Sequence, residues 1–309
     1  MKKILLLLLF SISLAFSQES INYQTPSSEI LELVEYDRPP SVTYDRDKNF
    51  MLFLYRDNYK SIEDLSQKEL RLAGLRINPK KNIGSRITYY NNVKIKNLKS
   101  KNPEINDIIG IPNNPLIANI NWSPNQKNIA FTNTSSDGVR LWVLNLESRS
   151  LTKLSDLKLN SNIGDVINWV NDNEIIVKVI PENKQNLIDQ DGIVPMGPTI
   201  SSNEGENAQN RTYQDLLKNK TDEFNFEQLV TSDLYLINLN GKIQKWLDAD
   251  MYTSISPSPD GNFIMVSNIK KPFSYIVTYG RFPRTTNIYN YEGKIISNLA
   301  NTPLIEELP

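Results

Sequence analysis

Neither cysteine nor histidine occurs anywhere in the 309 residues. Without cysteine there is no disulfide, no thiolate nucleophile and no Cys-based metal site, so stability rests on burial alone. The missing histidine excludes more. A Ser-His-Asp triad, a Cys-His pair, a zincin H-E-x-x-H helix and a facial His-His-carboxylate site each need an imidazole. An excess of one charge is lacking too: 34 basic residues stand against 35 acidic ones, for a net charge of −1, with no long run of either sign. Such a balance offers no surface to nucleic acid or to an acidic membrane. No motif asks for a metal or an organic cofactor.

What is present begins with a leader. In "MKKILLLLLFSISLAFSQES", Lys2 and Lys3 precede an apolar and small run from Ile4 to Phe16, and Ala15-Phe16-Ser17 makes a small-x-small cleavage site. This predicts a secretory signal peptide over 1–17, a mature chain from Gln18 and a periplasmic or extracellular location. The run is shorter than the roughly 20 residues that cross a bilayer, and no second run of that length follows, so no membrane span is expected. A lipid-anchored form of the signal would need a cysteine. With 39% apolar and 22% charged residues, the remainder has a globular composition.

One phrase recurs along it. "DRDKNFMLF" (Asp45 to Phe53), "SPNQKNIAF" (Ser123 to Phe131) and "SPDGNFIMV" (Ser258 to Val266) share a polar opening, Asp or Asn at the third place and an apolar close; "WVNDNEIIV" (Trp169 to Val177) is a shorter copy. Each reads as a tight turn feeding a strand. Trp122 and Trp169 precede their turns, where a large ring can fill the space between stacked sheets. Further alternating runs follow, such as "DLYLINL" with Asn240-Gly241 and "KIQKWL", and "NIYNY" with Glu292-Gly293 and "KIISNL". The two dipeptides are hairpin signals between runs of period two.

Each unit is therefore an antiparallel meander of about four strands, which is how a propeller blade is written. The predicted fold is all-β, a partial β-propeller of about four blades. Their approximate bounds are 36–100, 117–156, 164–248 and 253–301. Trp142, Tyr235 and Tyr289 fall on blade strands and are expected to pack in the core or between blades. A β-sandwich is the other use for such hairpins, but the constant order of strand, turn and strand favours blades. Ser61-Ile-Glu-Asp64 and Ser66-Gln-Lys-Glu69 read as capping boxes, so a short helical decoration is expected on the first blade before "LAGLRINP" (Leu72 to Pro79) returns to extended structure. One long polar insertion, 181–228, splits the third.

The strings "VPMGP" (Val194), "RTYQDLL" (Arg211), "TSDLY" (Thr231), "KPFSYIV" (Lys271) and "GRFP" (Gly280), with "LELVEYDRPPS" (Leu31) near the mature N-terminus, resemble the N-terminal part of prolyl oligopeptidase family serine peptidases, in the glutamyl-endopeptidase-like branch. The resemblance spans nearly all of the mature chain. It implies an N-terminal propeller that limits access of peptides or loosened chains to a C-terminal α/β-hydrolase domain with a Ser, Asp and His triad, cutting after glutamate. The sequence departs from the family at the chemistry: no G-x-S-x-G elbow, no βα alternation and no histidine, so the expectation is that the hydrolase domain is absent from these residues, and no catalytic residue is assigned. The D-W-x-Y-E-E motif of dipeptidyl peptidase relatives is missing as well. The expectation is a propeller portion, inactive alone, whose partners are the missing hydrolase domain and its peptide substrate. The alternative is a stand-alone envelope binding module similar to TolB.

Arg211, Lys271 and Arg281 lie in the family-like strings, where a cation could face a substrate carboxylate; a loop ion pair is the plainer role. Asp189, Asp191, Glu204 and Glu206 lack the D-x-D-x-D-G order of a calcium loop and read as solvated polar chain.

Overall fold

A computed structural model describes residues 24–189 and 213–307. The leader, "VPMGP", Arg211, Asp191, Glu204 and Glu206 lie outside the described residues. The chain divides into two compact units, Met1–Arg38 and Pro39–Pro309. Described in the first is one short helix, α1 (Ser28–Val34), with Ile30 and Leu33 exposed.

The second unit carries five antiparallel sheets among its described residues. The first meander is β1 (Ser41–Tyr44) and β2 (Phe50–Tyr55), then a detour through α2 (Ile62–Ser66), β3 (Leu70–Leu72), β4 (Leu75–Asn78) and β5 (Ile83–Gly84), then β6 (Asn92–Asn97) and β7 (Ile105–Asp107). The second is β8 (Ile117–Trp122), β9 (Asn128–Ser135), β10 (Gly138–Asn145) and β11 (Ser150–Lys153). The third is β12 (Ile167–Asn171), β13 (Glu174–Val179), α3 (Lys220–Val230) as an interruption, β14 (Ser232–Asn238) and β15 (Ile243–Asp250). The fourth is β16 (Tyr252–Pro257), β17 (Phe263–Ile269), β18 (Arg284–Asn290) and β19 (Ile295–Thr302). Every meander keeps its strands in chain order, and β3–β4–β5 form a small sheet of their own.

Successive sheets stack. Leu52 and Ile95 of the first meet Phe131 and Leu144 of the second; Val139 and Leu141 of the second meet Ile167 and Val177 of the third; Ile176 and Leu236 of the third meet Ile264 and Val266 of the fourth. Three interfaces between four sheets make a partial propeller, not a two-layer sandwich.

The recurring phrase has one geometry. Its first side chain accepts the amide five residues on: Asp45 Oδ1 from Phe50 N at 2.6 Å, Ser123 Oγ from Asn128 N at 3.0 Å, Ser258 Oγ from Phe263 N at 3.0 Å. Its fourth residue is left-handed, with φ of 53° at Lys48, 61° at Gln126 and 72° at Gly261. The same turns fasten neighbours. Arg46 N donates to Gln126 Oε1 at 3.0 Å, joining the first blade to the second, and Asn125 N donates to Asp172 Oδ1 at 2.8 Å, joining the second to the third. Trp169 fills the second interface and donates Nε1 to the Asn121 carbonyl at 3.2 Å. Trp122 packs partly buried against the core between the first and second blades. Trp142 lies beside the first interface and Tyr235 beside the second, while Tyr289 meets Trp246 edge-on at 5.8 Å.

Two local expectations are corrected. Ser61 does cap α2, accepting from Asp64 N at 3.1 Å, but Ser66 ends that helix and does not start another. Gln67 is extended (φ −66°, ψ 141°), and Glu69 turns to Arg71 and Arg86. The first blade also runs past residue 100, because the stretch around Ser100 is the turn into β7.

Both ends of the stack carry uncovered apolar side chains. Val42 (43% exposed) and Tyr44 (50%) lie on the outer face of the first blade beside Met51 and Phe53; Phe263 (46%) and Met265 (38%) lie on that of the fourth. A few hundred Å² of such surface left in water forfeits on the order of 5–10 kcal/mol. The isolated chain is expected to self-associate through these faces, and Tyr44→Lys with Phe263→Lys to reduce light scattering at equal concentration. A wild-type chain that stays monomeric with a sharp reversible melt would contradict this.

Candidate functional site

The detours in the first, third and fourth blades leave from one place, the connection between second and third strands. Because neighbouring strands are antiparallel, that connection emerges at the same rim as the link from each blade to the next. The three insertions meet there in a second core. Leu72, Ala73 and Ile77 come from the first blade's insertion, Leu217, Phe226, Leu229 and Val230 from the third's, Val277 and Phe282 from the fourth's, and Ile163 from the connector between the second and third blades. Phe226 makes edge-on contacts with Phe273 at 5.2 Å and Phe282 at 5.7 Å. We call this assembly the cap.

Its central feature is the β3–β4 hairpin tip. Gly74 N donates to the Asp215 carbonyl at 2.8 Å, and Tyr279 N donates to the Ala73 carbonyl at 2.9 Å, so the first blade's insertion is tied to both others. Gly74 has φ +87°, and a Cβ there would sit 2.7 Å from Thr278 Cγ2. Asp215 binds Arg76 Nε at 2.7 Å, with Arg71 at 3.9 Å. Glu69 holds Arg71 and Arg86 at 3.0 and 2.9 Å. Burial works to raise the Glu69 carboxyl, but hydrogen bonds from Ser85, Arg86 and Arg71 outweigh it and hold the pKa down to about 2.

α3 is placed by its ends. Asn219 caps its start, accepting from Asp222 N at 2.9 Å. At its finish, Asn160 Nδ2 donates to the carbonyls of Leu229 and Thr231, both at 2.9 Å, and Asn162 Nδ2 donates to Leu229 at 2.7 Å. Beside it Lys184 Nζ reaches Asn82 Oδ1 at 2.6 Å, and burial lowers that amine to about 8.

Two of the three cations singled out from sequence lie in the cap. Lys271 pairs with Glu227 Oε2 at 2.8 Å and lies 5.7 Å from the Phe273 ring centroid. Arg281 faces the Tyr213 ring at 5.9 Å and donates to the Glu307 carbonyl at 3.0 Å. Arg211 lies outside the described residues. Asp189 pairs with Lys68 at 2.9 Å, and no cluster of carboxylates suited to a metal occurs among the described residues. Sequence reasoning passed over Asp215 and the Asn160/Asn162 clamp. Asp215 sat inside the quoted "RTYQDLL", whereas the two asparagines carried no motif. The arrangement can position and bind; with no imidazole in the chain, it holds no base for nucleophilic hydrolysis of the triad type.

No family model matches the sequence. The chain is 34% identical over 306 residues to "Probable glutamyl endopeptidase, chloroplastic" of Oryza sativa subsp. japonica, and 32% identical over 299 residues to the protein of the same name in Arabidopsis thaliana, covering 95% and 93% of this chain. The chain is thus related over nearly its whole length to proteins named glutamyl endopeptidase. It spans about a third of the relatives' length, 32% and 31%. Among solved structures, Pyrococcus horikoshii acylaminoacyl peptidase aligns with a TM-score of 0.44 at 12% identity, over 89% of this chain and 34% of that one. Prolyl oligopeptidase B from Galerina marginata aligns at 0.42 and 8%, over 86% and 27%.

The strings that carried the resemblance now have an address. "RTYQDLL", "KPFSYIV" and "GRFP" contribute Tyr213, Asp215, Leu217, Phe273, Val277, Arg281 and Phe282, all in the cap and none on a blade strand. The cap should depend on Gly74. Gly74→Val combines a left-handed backbone with a clash, about 2–4 kcal/mol, and is expected to lower the urea midpoint clearly; an unchanged midpoint would show that the hairpin tip can yield.

Proposed function

We propose that the chain is the non-catalytic propeller portion of an exported serine peptidase, restricting the entry of peptides to an α/β-hydrolase domain that it does not itself contain. The intact enzyme would cut after glutamate. One observation carries the reading. Nearly the whole chain is related to proteins named glutamyl endopeptidase, yet it spans a third of their length and holds no histidine. The uncovered faces of the first and fourth blades support it, since further meanders would bury them. Arg211, Lys271 and Arg281 are the groups assigned to a substrate carboxylate, with Lys271 exchanging Glu227 for it and Arg281 the Glu307 carbonyl. Export rests on the leader over 1–17, with delivery to the periplasm or beyond the cell.

The test is a peptidase assay in two arms. The purified chain is expected to leave a Glu-containing peptide intact. Supplied with a hydrolase part, as continuing reading frame or as a separate chain, it should support cleavage on the carboxyl side of glutamate. Hydrolysis by the chain alone, surviving removal of contaminants, would overturn the assignment; a second arm without cleavage would favour a TolB-like binding module. Mass spectrometry of exported material should find Gln18 first.

A further inference from the structure

Lys178 on β13 is among the largest fully buried side chains of the described residues, 1% exposed. Its register places it on the face that Ile176 turns to the fourth blade, one residue from the rim that bears the cap. The ammonium group has one hydrogen-bond partner, the carbonyl of Ile163. Ile163 belongs to the connector between the second and third blades, and that connector wraps the lysine: Asn160 N donates to the Lys178 carbonyl at 2.9 Å, and Lys178 N donates to the Val166 carbonyl at 3.3 Å. The next residue, Gly164 (φ +55°), lies so close to β16 that a Cβ would come within 1.9 Å of the Thr253 carbonyl and 3.4 Å of Lys178 Nζ. The connector is thus wedged between the amine and the fourth blade. It is also the segment whose Asn160 and Asn162 hold the end of α3, and whose Ile163 enters the cap core.

We propose that Lys178 is a proton-sensitive pin: an added proton on its amine lifts the connector, and the same movement releases α3 and loosens the cap from the blades. Among the described residues no acid forms an ion pair with the amine. Asp165, exposed on the connector, is the one acid that favours the charged amine. On β14, Asp233 lies across from Val179, on the opposite sheet face, and is taken by Lys245 at 2.8 Å. On β16, Thr253 is uncharged and the Tyr252 hydroxyl donates to the Asp248 carbonyl at 2.6 Å. On α3, Glu223 pairs with Lys220 and Glu227 with Lys271.

Burial lowers the amine from 10.5 to about 7, only partly opposed by Asp165. An opened connector returns it to water and to its ordinary value. Opening therefore takes up a proton between those two values: it grows as pH falls from 10.5 and levels off below about 7, where the closed form is protonated too.

Hydrogen exchange of the dilute full chain, corrected for intrinsic rates, tests this at pH 6, 7, 8 and 9. The amides of Phe226 to Thr231 are expected to lose protection by about tenfold per unit from pH 9 towards 7, then level off. In Lys178→Met the profile should be flat, with higher protection throughout. The same slope in Lys178→Met would overturn the proposal. If that variant does not fold, Asp165→Asn decides: without its anion the amine is lowered further, so the levelling point should move to lower pH. A profile identical to wild type in Asp165→Asn would count against the pin.

Discussion

A four-stranded twisted sheet cannot cover its own faces, and the whole molecule follows from that constraint. Each meander buries one face against the next, and the three interfaces built from Leu52, Leu141, Ile176 and their neighbours are the consequence. Stacking also fixes what the turns must do. A hairpin turn that only reversed the chain could vary freely. Here the turn must also present an amide or a side chain to the adjacent blade, as Arg46 does to Gln126 and Asn125 does to Asp172. That second duty explains why the phrase is repeated with its first-position oxygen and its left-handed fourth residue intact.

The cap answers the same constraint at another scale. A sheet as small as β3–β5 and an eleven-residue helix are each too small to hold a core of their own. Emerging at one rim, they share Phe226, Phe282 and Leu72 and become a single body. The price is dependence on what lies beneath, since the connector at Asn160 to Gly164 supplies the amides that finish α3 and rests on Lys178. The blades and the cap are therefore joined at a point where a buried amine replaces what would ordinarily be apolar, a substitution that favours coupling over stability.

Legibility followed sequence distance. Period-two runs, Asn-Gly and Glu-Gly turns and the Ser61 cap declare themselves within a few residues, and the blades built from them were readable. The second box at Ser66 misled because its acid, Glu69, is claimed by Arg71 and Arg86, so a local cap loses to tertiary ion pairs. α3 went unread inside a polar stretch: its buried Phe226, Leu229 and Val230 have helical spacing, but Asp222 and Glu223 before them and Glu227 among them dilute the pattern. Contacts such as Arg76 with Asp215, 139 residues apart, leave no trace in a single sequence.

Magnitudes separate the cap's charges into two kinds. Lys271 and Glu227 are 58% and 33% exposed at their side chains, a setting in which an ion pair is worth about 0–1 kcal/mol. A substrate carboxylate could replace Glu227 there at little loss. Arg76 and Asp215, 30% and 12% exposed, sit under the hairpin tip with Asp215 also bound through its backbone, and removing either leaves a partner largely out of water. The second pair holds the cap's shape, whereas the first lies at its surface and is exchangeable.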